Sequence, residues 1–461
     1  MSNSIPASSD SGNAKATVAI KRRERDAILQ SLQAGLVPRQ GLHHIQVGRK
    51  KEVEALLADL ERIAAGAASF RIVVGRFGSG KSFFLNLIRT LALQKNLVVL
   101  QGDMTMERRL YSTTGEAQAL YSELLRNLCT RSKPEGGGLS GLVENWISRI
   151  SHEVKTAGGD DSQVKARLFS DLSDIQQLVG GYEFAEVLAK YYEGHQNGDD
   201  ALKAAALRWL RAEFTTKTEA RQALGVRRII GDESFYDSLK LLAAFCVKAG
   251  YAGVIINIDE LVVLSHRLPS KRARQANYEM VLTLINDCLQ GSVGHLGFIL
   301  AGTDDCVEDT RRGLYSYEAL RTRLQSNAFA QAGLVDFSGP VVRLASLSPE
   351  ELYVLLSNIR HVHASGDAAR HLVPDAALLG VLRRANEVLG ADYFKTPRDV
   401  IRSFVGLLNI IEQNPGVQWD ALVNGDGFIP KGSTPLSVEE EVAAGVTASV
   451  DNDDDLATLK L

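Results

Sequence analysis

Gly75-Arg76-Phe77-Gly78-Ser79-Gly80-Lys81-Ser82 follows the apolar run Phe70-Arg71-Ile72-Val73-Val74 and opens into Phe83-Phe84-Leu85-Asn86-Leu87-Ile88. Strand, glycine-rich turn, then helix is the order a phosphate-binding loop requires. The glycines let the backbone wrap closely around an anion, so that several N–H groups point inward. The helix N-terminus adds unpaired N–H groups and a partial positive charge. Lys81 is placed to reach the β- and γ-phosphates of a triphosphate, and Ser82 to put its hydroxyl on Mg²⁺. The full Gly-x4-Gly-Lys-Ser spacing sets this stretch apart from an ordinary glycine-rich turn and predicts a nucleoside triphosphate site. Gly75, Arg76, Phe77, Gly78, Ser79, Gly80, Lys81 and Ser82 are its candidate lining.

Such a loop needs an acidic partner. Ala252-Gly253-Val254-Ile255-Ile256-Asn257-Ile258-Asp259-Glu260 reads as a buried strand ending in two acids, the Walker B pattern. Asp259 is the candidate magnesium ligand with Ser82, directly or through water. Glu260 is then placed to polarise the attacking water as general base. Further buried strands are expected at Leu97–Gln101, Leu296–Ala301 and Val341–Leu344. With helical connections between them, these five runs predict an α/β fold, a P-loop NTPase with a parallel sheet.

Bulk properties are those of a globular chain. Of 461 residues, 45% are hydrophobic and 23% charged, enough for a large core. A net charge of −3 argues against a polycation that coats nucleic acid, although it leaves room for a local basic patch. Cys129, Cys246, Cys288 and Cys306 show no metal-binding spacing and read as reduced, buried thiols of a cytoplasmic protein. No run is apolar and long enough to cross a membrane.

The polar residues 1–17 are expected to be disordered, and residues 18–345 to form the nucleotide-binding domain. Only helical periodicity is visible from about 106 to 223, a large insertion that is either a partner-binding module or a structural elaboration. Ser348-Pro349-Glu350-Glu351 carries a capping box and a helix-starting proline. It begins a helical lid over 346–415, with helices expected at Pro349–Ser365, Pro374–Glu387 and Pro397–Glu412. Residues 416–461 are an extension with an acidic tail, Glu439-Glu440-Glu441 and Asp451 to Asp455. The basic stretch Arg267-Leu268-Pro269-Ser270-Lys271-Arg272-Ala273-Arg274 either meets phosphates of DNA or is a solvated loop.

The chain resembles AAA+ ATPases of the origin-recognition and STAND-like group, and more closely the bacterial P-loop proteins of phage-exclusion (BREX) operons. The residues that carry this are Gly48-Arg49, Gly75 to Ser82, Ile229 to Tyr236, Asp259-Glu260-Leu261, Ala301-Gly302-Thr303 and Thr396-Pro397-Arg398. The resemblance spans about 37–415 and implies an AAA+-like domain, with ATP and Mg²⁺ as cofactors. It implies that Gly48 and Arg49 lie against the adenine and that Thr303, with Asp304 second, takes the sensor 1 role. It implies an arginine finger reaching a neighbouring subunit of a homo-oligomer: Arg323 first, Arg321 second, Arg311 and Arg312 after them. Arg398 takes the lid's sensor 2 role at the γ-phosphate. Related proteins also sit in three-gene defence operons such as Shango, beside a TerB-domain protein and a helicase. Two functions are therefore open: a DNA- or helicase-directed ATPase of anti-phage defence, or a slow nucleotide-dependent switch that gates partner assembly.

Overall fold

The structure is a computed structural model that describes residues 19–325, 327, 336–389, 397–425 and 428. The expected disordered N-terminus, the acidic tail from 432 and Thr396 lie outside the described residues. Five strands form one all-parallel sheet: β1 (Ala68–Val74), β2 (Val98–Asp103), β3 (Val254–Asp259), β4 (Leu296–Gly302) and β5 (Val341–Arg343), in the order β2-β3-β4-β1-β5. All five lie where the apolar runs predict them.

The chain divides into two compact units, one of Gly48–Ser346 and one whose described residues run up to Val47 and on from Leu347. In the first, β1 is buried at every position because both sheet faces are covered. Its alternate residues go to opposite faces. Ile72 and Val74 join one core cluster and Val73 the other; along β4, Phe298 and Leu300 separate from Ile299 and Ala301 in the same way. The smaller cluster holds Leu56, Leu60 and Ile63 of helix Lys50–Ala64, with Phe84, Leu85 and Ile88 of helix Lys81–Gln94. Each such side chain contributes roughly 1.5–3 kcal/mol on burial.

The other face carries the expected insertion. Its helices are Glu116–Arg126, Leu139–Thr156, Asp161–Asp171, Ser173–Gln176, Gly181–Asn197, Asp200–Leu210 and Lys217–Leu224, and helix Phe235–Lys248 follows them into β3. Trp146 and Phe184 from the insertion pack edge-on against Phe245, at ring centroid distances of 5.3 and 5.7 Å. Those rings belong to the same core cluster as Ile72, Val98 and Ile256 of the sheet. The insertion therefore shares the sheet's core and has no separate one. All four cysteines are buried and outside any disulfide, and burial pushes Cys288 and Cys306 up to about 12.

A buried ion pair enters this core. Arg71 of β1 is 7% exposed, and its Nε donates to Asp59 Oδ2 at 2.6 Å and its Nη2 to Asp59 Oδ1 at 3.1 Å. Its Nη1 donates to the Phe337 carbonyl at 2.8 Å and to that of Gly339. The pair ties the strand before the loop to helix Lys50–Ala64 and to the segment leading into β5.

The helical unit contains the predicted capping box: Ser348 Oγ accepts from Glu351 N at 3.2 Å, and Glu351 Oε2 accepts from Ser348 N at 2.8 Å. Its lid helices are Pro349–His363, Asp375–Leu389 and Pro397–Gln413. Two boundaries differ from those expected. Helix Arg22–Gln33, placed by sequence in the nucleotide-binding domain, belongs here: Arg25 Nε donates to the His363 carbonyl at 2.6 Å, and its Nη2 meets Glu412 Oε1 at 3.0 Å. The unit also extends beyond 415, through a short helix Trp419–Val423 whose indole approaches Gly380. Among the described residues, no helix is long and apolar enough to cross a membrane.

Candidate nucleotide-binding site

At the C-terminal ends of parallel strands, backbone N–H groups and side chains converge on one crevice, where ligands of such sheets bind. The order places β4 between β3 and β1. Thr303 therefore lies between the acids after β3 and the loop after β1.

The loop is shaped by its glycines. Gly78 and Gly80 have φ of +73° and +85°, the left-handed region that a side chain would strain. A Cβ on Gly75 would lie 2.7 Å from Ser79 Oγ. Ser79 Oγ itself is buried without a hydrogen-bond partner among the described residues. Lys81 Nζ curls back onto the loop, donating to the Gly75 and Arg76 carbonyls at 2.9 and 3.0 Å. Burial holds the ammonium below its ordinary pKa, opposed by the Asp259 and Glu260 carboxylates. Phe77 stands half exposed on the same loop.

Ser82 Oγ donates to Asp259 Oδ2 at 2.7 Å, bringing together residues 177 apart in sequence. The other carboxylate oxygen accepts from Glu260 N at 2.8 Å. Glu260 has φ of +61°, uncommon for a non-glycine residue, and its carboxyl is pushed above its ordinary pKa by burial first and by the Asp259 charge second. Leu261 N donates to the Ala301 carbonyl at 2.9 Å, locking this turn to β4.

Thr303 begins a short helix, Asp304–Glu308, yet its hydroxyl makes no capping bond. Its carbonyl accepts from Cys306 Sγ at 2.9 Å, whereas Oγ1 is buried with no partner among the described residues. Asp304, the second candidate, is paired with Arg343 at 3.1 Å. Among the described residues, the Thr303 hydroxyl is thus unpartnered and the Asp304 carboxylate engaged.

Arg49 lies beside the loop. Gly48 and Arg49 are both left-handed, with φ of +66° and +59°, and the Arg49 guanidinium donates to the Ser79 carbonyl and lies 3.5 Å from that of Gly80. It braces the back of the loop. Arg323 projects from helix Glu318–Leu324, where Nε donates to Asn286 Oδ1 at 2.7 Å and Nη1 to the Ala319 carbonyl at 2.8 Å. Arg321 stands 3.9 Å from Glu318. Arg398 belongs to the helical unit, where Nε donates to the Gly35 carbonyl at 2.7 Å. In the basic stretch, Arg274 is tied to the Leu268 carbonyl at 2.8 Å, while Arg267, Lys271 and Arg272 are exposed.

Residues 20–426 match the family described as BREX system ATP-binding protein BrxC/D. The chain belongs to that family. This BREX family member is thereby an ATP-binding component of a phage-defence system. No curated protein matches the chain.

Sequence reasoning missed a polar cluster under the loop's helix in this BREX protein. Gln101 Nε2 donates to Asn86 Oδ1 at 3.3 Å, and Gln101 pairs in register with Asn257 of β3. Asn257 is fully buried, with neither side-chain polar atom partnered among the described residues. The only available signal was a polar residue inside an otherwise apolar strand, two positions before Asp259. His266 was also passed over. It is buried with Nδ1 at 2.8 Å from Ser265 Oγ and Nε2 at 3.5 Å from Asp309, linking the segment after Glu260 to the one after Thr303.

Proposed function

We propose that this BREX family member hydrolyses ATP with Mg²⁺ and that turnover drives its part in defence against phage. The observation that carries the proposal is the 2.7 Å bond between Ser82 Oγ and Asp259 Oδ2. A hydroxyl from the phosphate loop and a carboxylate from the acidic end of β3, two strands away, share one point, the oxygen-rich donor set a hard cation requires. Ser82 and Asp259 would hold the magnesium, which when bound neutralises charge on the β- and γ-phosphate oxygens. Lys81 exchanges its two loop carbonyls for phosphate oxygens. Glu260, with its raised pKa, takes the proton of the attacking water. Thr303 Oγ1 gains in the nucleotide complex the partner it lacks here and orients that water or a γ-phosphate oxygen.

Arg49 supports this scheme by holding the Ser79 carbonyl of the loop, and with Gly48 it lies against the adenine. Arg398 takes the lid's γ-phosphate role, and Arg323 serves a neighbouring copy in a homo-oligomer as the finger. DNA, or a helicase encoded in the same operon, is the substrate on which turnover acts, and the exposed Arg267, Lys271 and Arg272 are the local cations suited to phosphate contact. The alternative is the slow switch. The Arg323 guanidinium is engaged within its own subunit, which withholds transition-state charge from a neighbour until assembly releases it.

Glu260→Gln tests the proposal. The variant is expected to retain ATP affinity and lose at least roughly 100-fold in phosphate release, within the range for a positioned base. Wild-type turnover removes Glu260 from the base role. DNA-stimulated turnover in the wild type supports the defence ATPase, whereas ATP-driven assembly with low turnover supports the switch.

A further inference from the structure

The helical unit gathers metal-liganding side chains that the nucleotide chemistry does not use. Glu24 on helix Arg22–Gln33 and His43 and His44 on the short helix Leu42–Ile45 each present a ligand atom, and these atoms all lie within 4.8 Å of one another. His44 Nε2 is 3.6 Å from Glu24 Oε1. In a tetrahedral zinc site with bonds of roughly 2.0–2.2 Å, adjacent ligand atoms stand about 3.4 Å apart, so this pair is already near bonding geometry. The His43 and His44 ring centroids are 3.9 Å apart, and rotation of the exposed His43 ring closes the remaining distance.

The backbone is built for this approach. Leu42 and Ile45 of the four-residue helix are buried, which fixes the segment that carries both imidazoles. The preceding Gly41 has φ of +70°, and a Cβ there would lie 2.5 Å from Ile28 Cδ1 and 3.1 Å from Glu24 Cγ and Oε1. Only glycine brings this turn so close to the carboxylate. His361, on the packed helix Pro349–His363, is engaged with His371 at 3.4 Å and stands outside the set.

We propose that Glu24, His43 and His44 form a site for a divalent transition metal of the zinc class, with three protein ligands and one open position. Such a metal staples the short helix to helix Arg22–Gln33. This proposal is independent of ATP hydrolysis.

The test uses the full chain, stripped with chelator and held free of nucleotide. Titration with Co²⁺ is expected to show tetrahedral d–d bands saturating at one equivalent, displaced by Zn²⁺. Glu24→Gln, His43→Gln and His44→Gln should each weaken Zn²⁺ binding by at least about 100-fold, beyond the roughly 10–100-fold seen when only a supporting group is lost. His371→Gln should bind as wild type does. Zn²⁺ should raise the melting temperature of wild type and not of Glu24→Gln, a variant of nearly unchanged shape that remains informative if a histidine variant fails to fold. Binding below one equivalent in wild type, or Zn²⁺ affinity unchanged in Glu24→Gln, overturns the site.

Discussion

Thr303→Val removes one hydroxyl and keeps the side chain's shape, and stability and activity are expected to move in opposite directions. Thr303 Oγ1 is buried without a partner among the described residues, and the hydroxyl does not cap the helix it begins. A buried hydroxyl left without a hydrogen bond costs about 1–3 kcal/mol. Valine places a methyl group where that oxygen sat, so the nucleotide-free variant should be more stable by about 1 kcal/mol. For the unit Gly48–Ser346, that corresponds to a melting temperature roughly 1.5 °C higher. If the hydroxyl instead finds its partner on the attacking water or a phosphate oxygen, its removal should cost turnover on the scale of one lost oxyanion donor, roughly 10²–10³-fold. Thermal melting without nucleotide reads the first effect, and phosphate release at saturating ATP reads the second. A variant less stable than wild type shows that the hydroxyl is partnered in the free protein. Turnover within about twofold of wild type removes Thr303 from the reaction.

Four further outcomes are expected. Lys81→Ala deletes a cation that would make two charge-assisted bonds to phosphate, each worth roughly 1.5–3 kcal/mol, so ATP affinity by calorimetry should fall by at least about 100-fold; full affinity would end the phosphate-loop interpretation. Because Glu260 is held above its ordinary pKa in the free protein and must be ionised to act as a base, the acid limb of kcat/KM should have its midpoint above the ordinary glutamate range. The same raised pKa makes the Glu260 contribution to stability full below its unfolded pKa and lost as pH rises through the folded one. Glu260→Gln should therefore be more stable than wild type at neutral pH and not at acid pH, and urea titrations at the two pH values decide this. Asp59→Ala strands the buried Arg71 guanidinium and should cost roughly 3–5 kcal/mol in urea unfolding; a loss below about 1 kcal/mol would show that the Phe337 and Gly339 carbonyls suffice for that charge.

Local order was legible from the chain. The five strands follow from apolar runs because strands buried on both faces admit few polar residues. The loop follows from glycines that must adopt positive φ, and the lid's first helix from the reciprocal Ser348–Glu351 cap. Features that depend on what meets what were less accessible. The helix Arg22–Gln33 shows its amphipathic pattern in sequence, but periodicity says only that a face is buried, not against which unit. That the Arg49 guanidinium meets the Ser79 carbonyl, 30 residues on, is likewise not written in the local sequence. Helices from 106 to 223 were periodic enough to predict, yet their continuity with the sheet's core depends on Trp146 and Phe184 reaching Phe245.

The sequence by itself determined the triphosphate loop, the acidic strand end and the parallel α/β class, because each is written in a few residues at fixed spacing. Only the tertiary structure decided that Ser82 meets Asp259 across 177 residues, that the Thr303 hydroxyl is buried without a partner among the described residues while Asp304 is paired, and that Glu24 faces His43 and His44. Strand order and helix packing set those meetings, and both depend on distant parts of the chain burying their apolar faces together, which no short window of residues encodes.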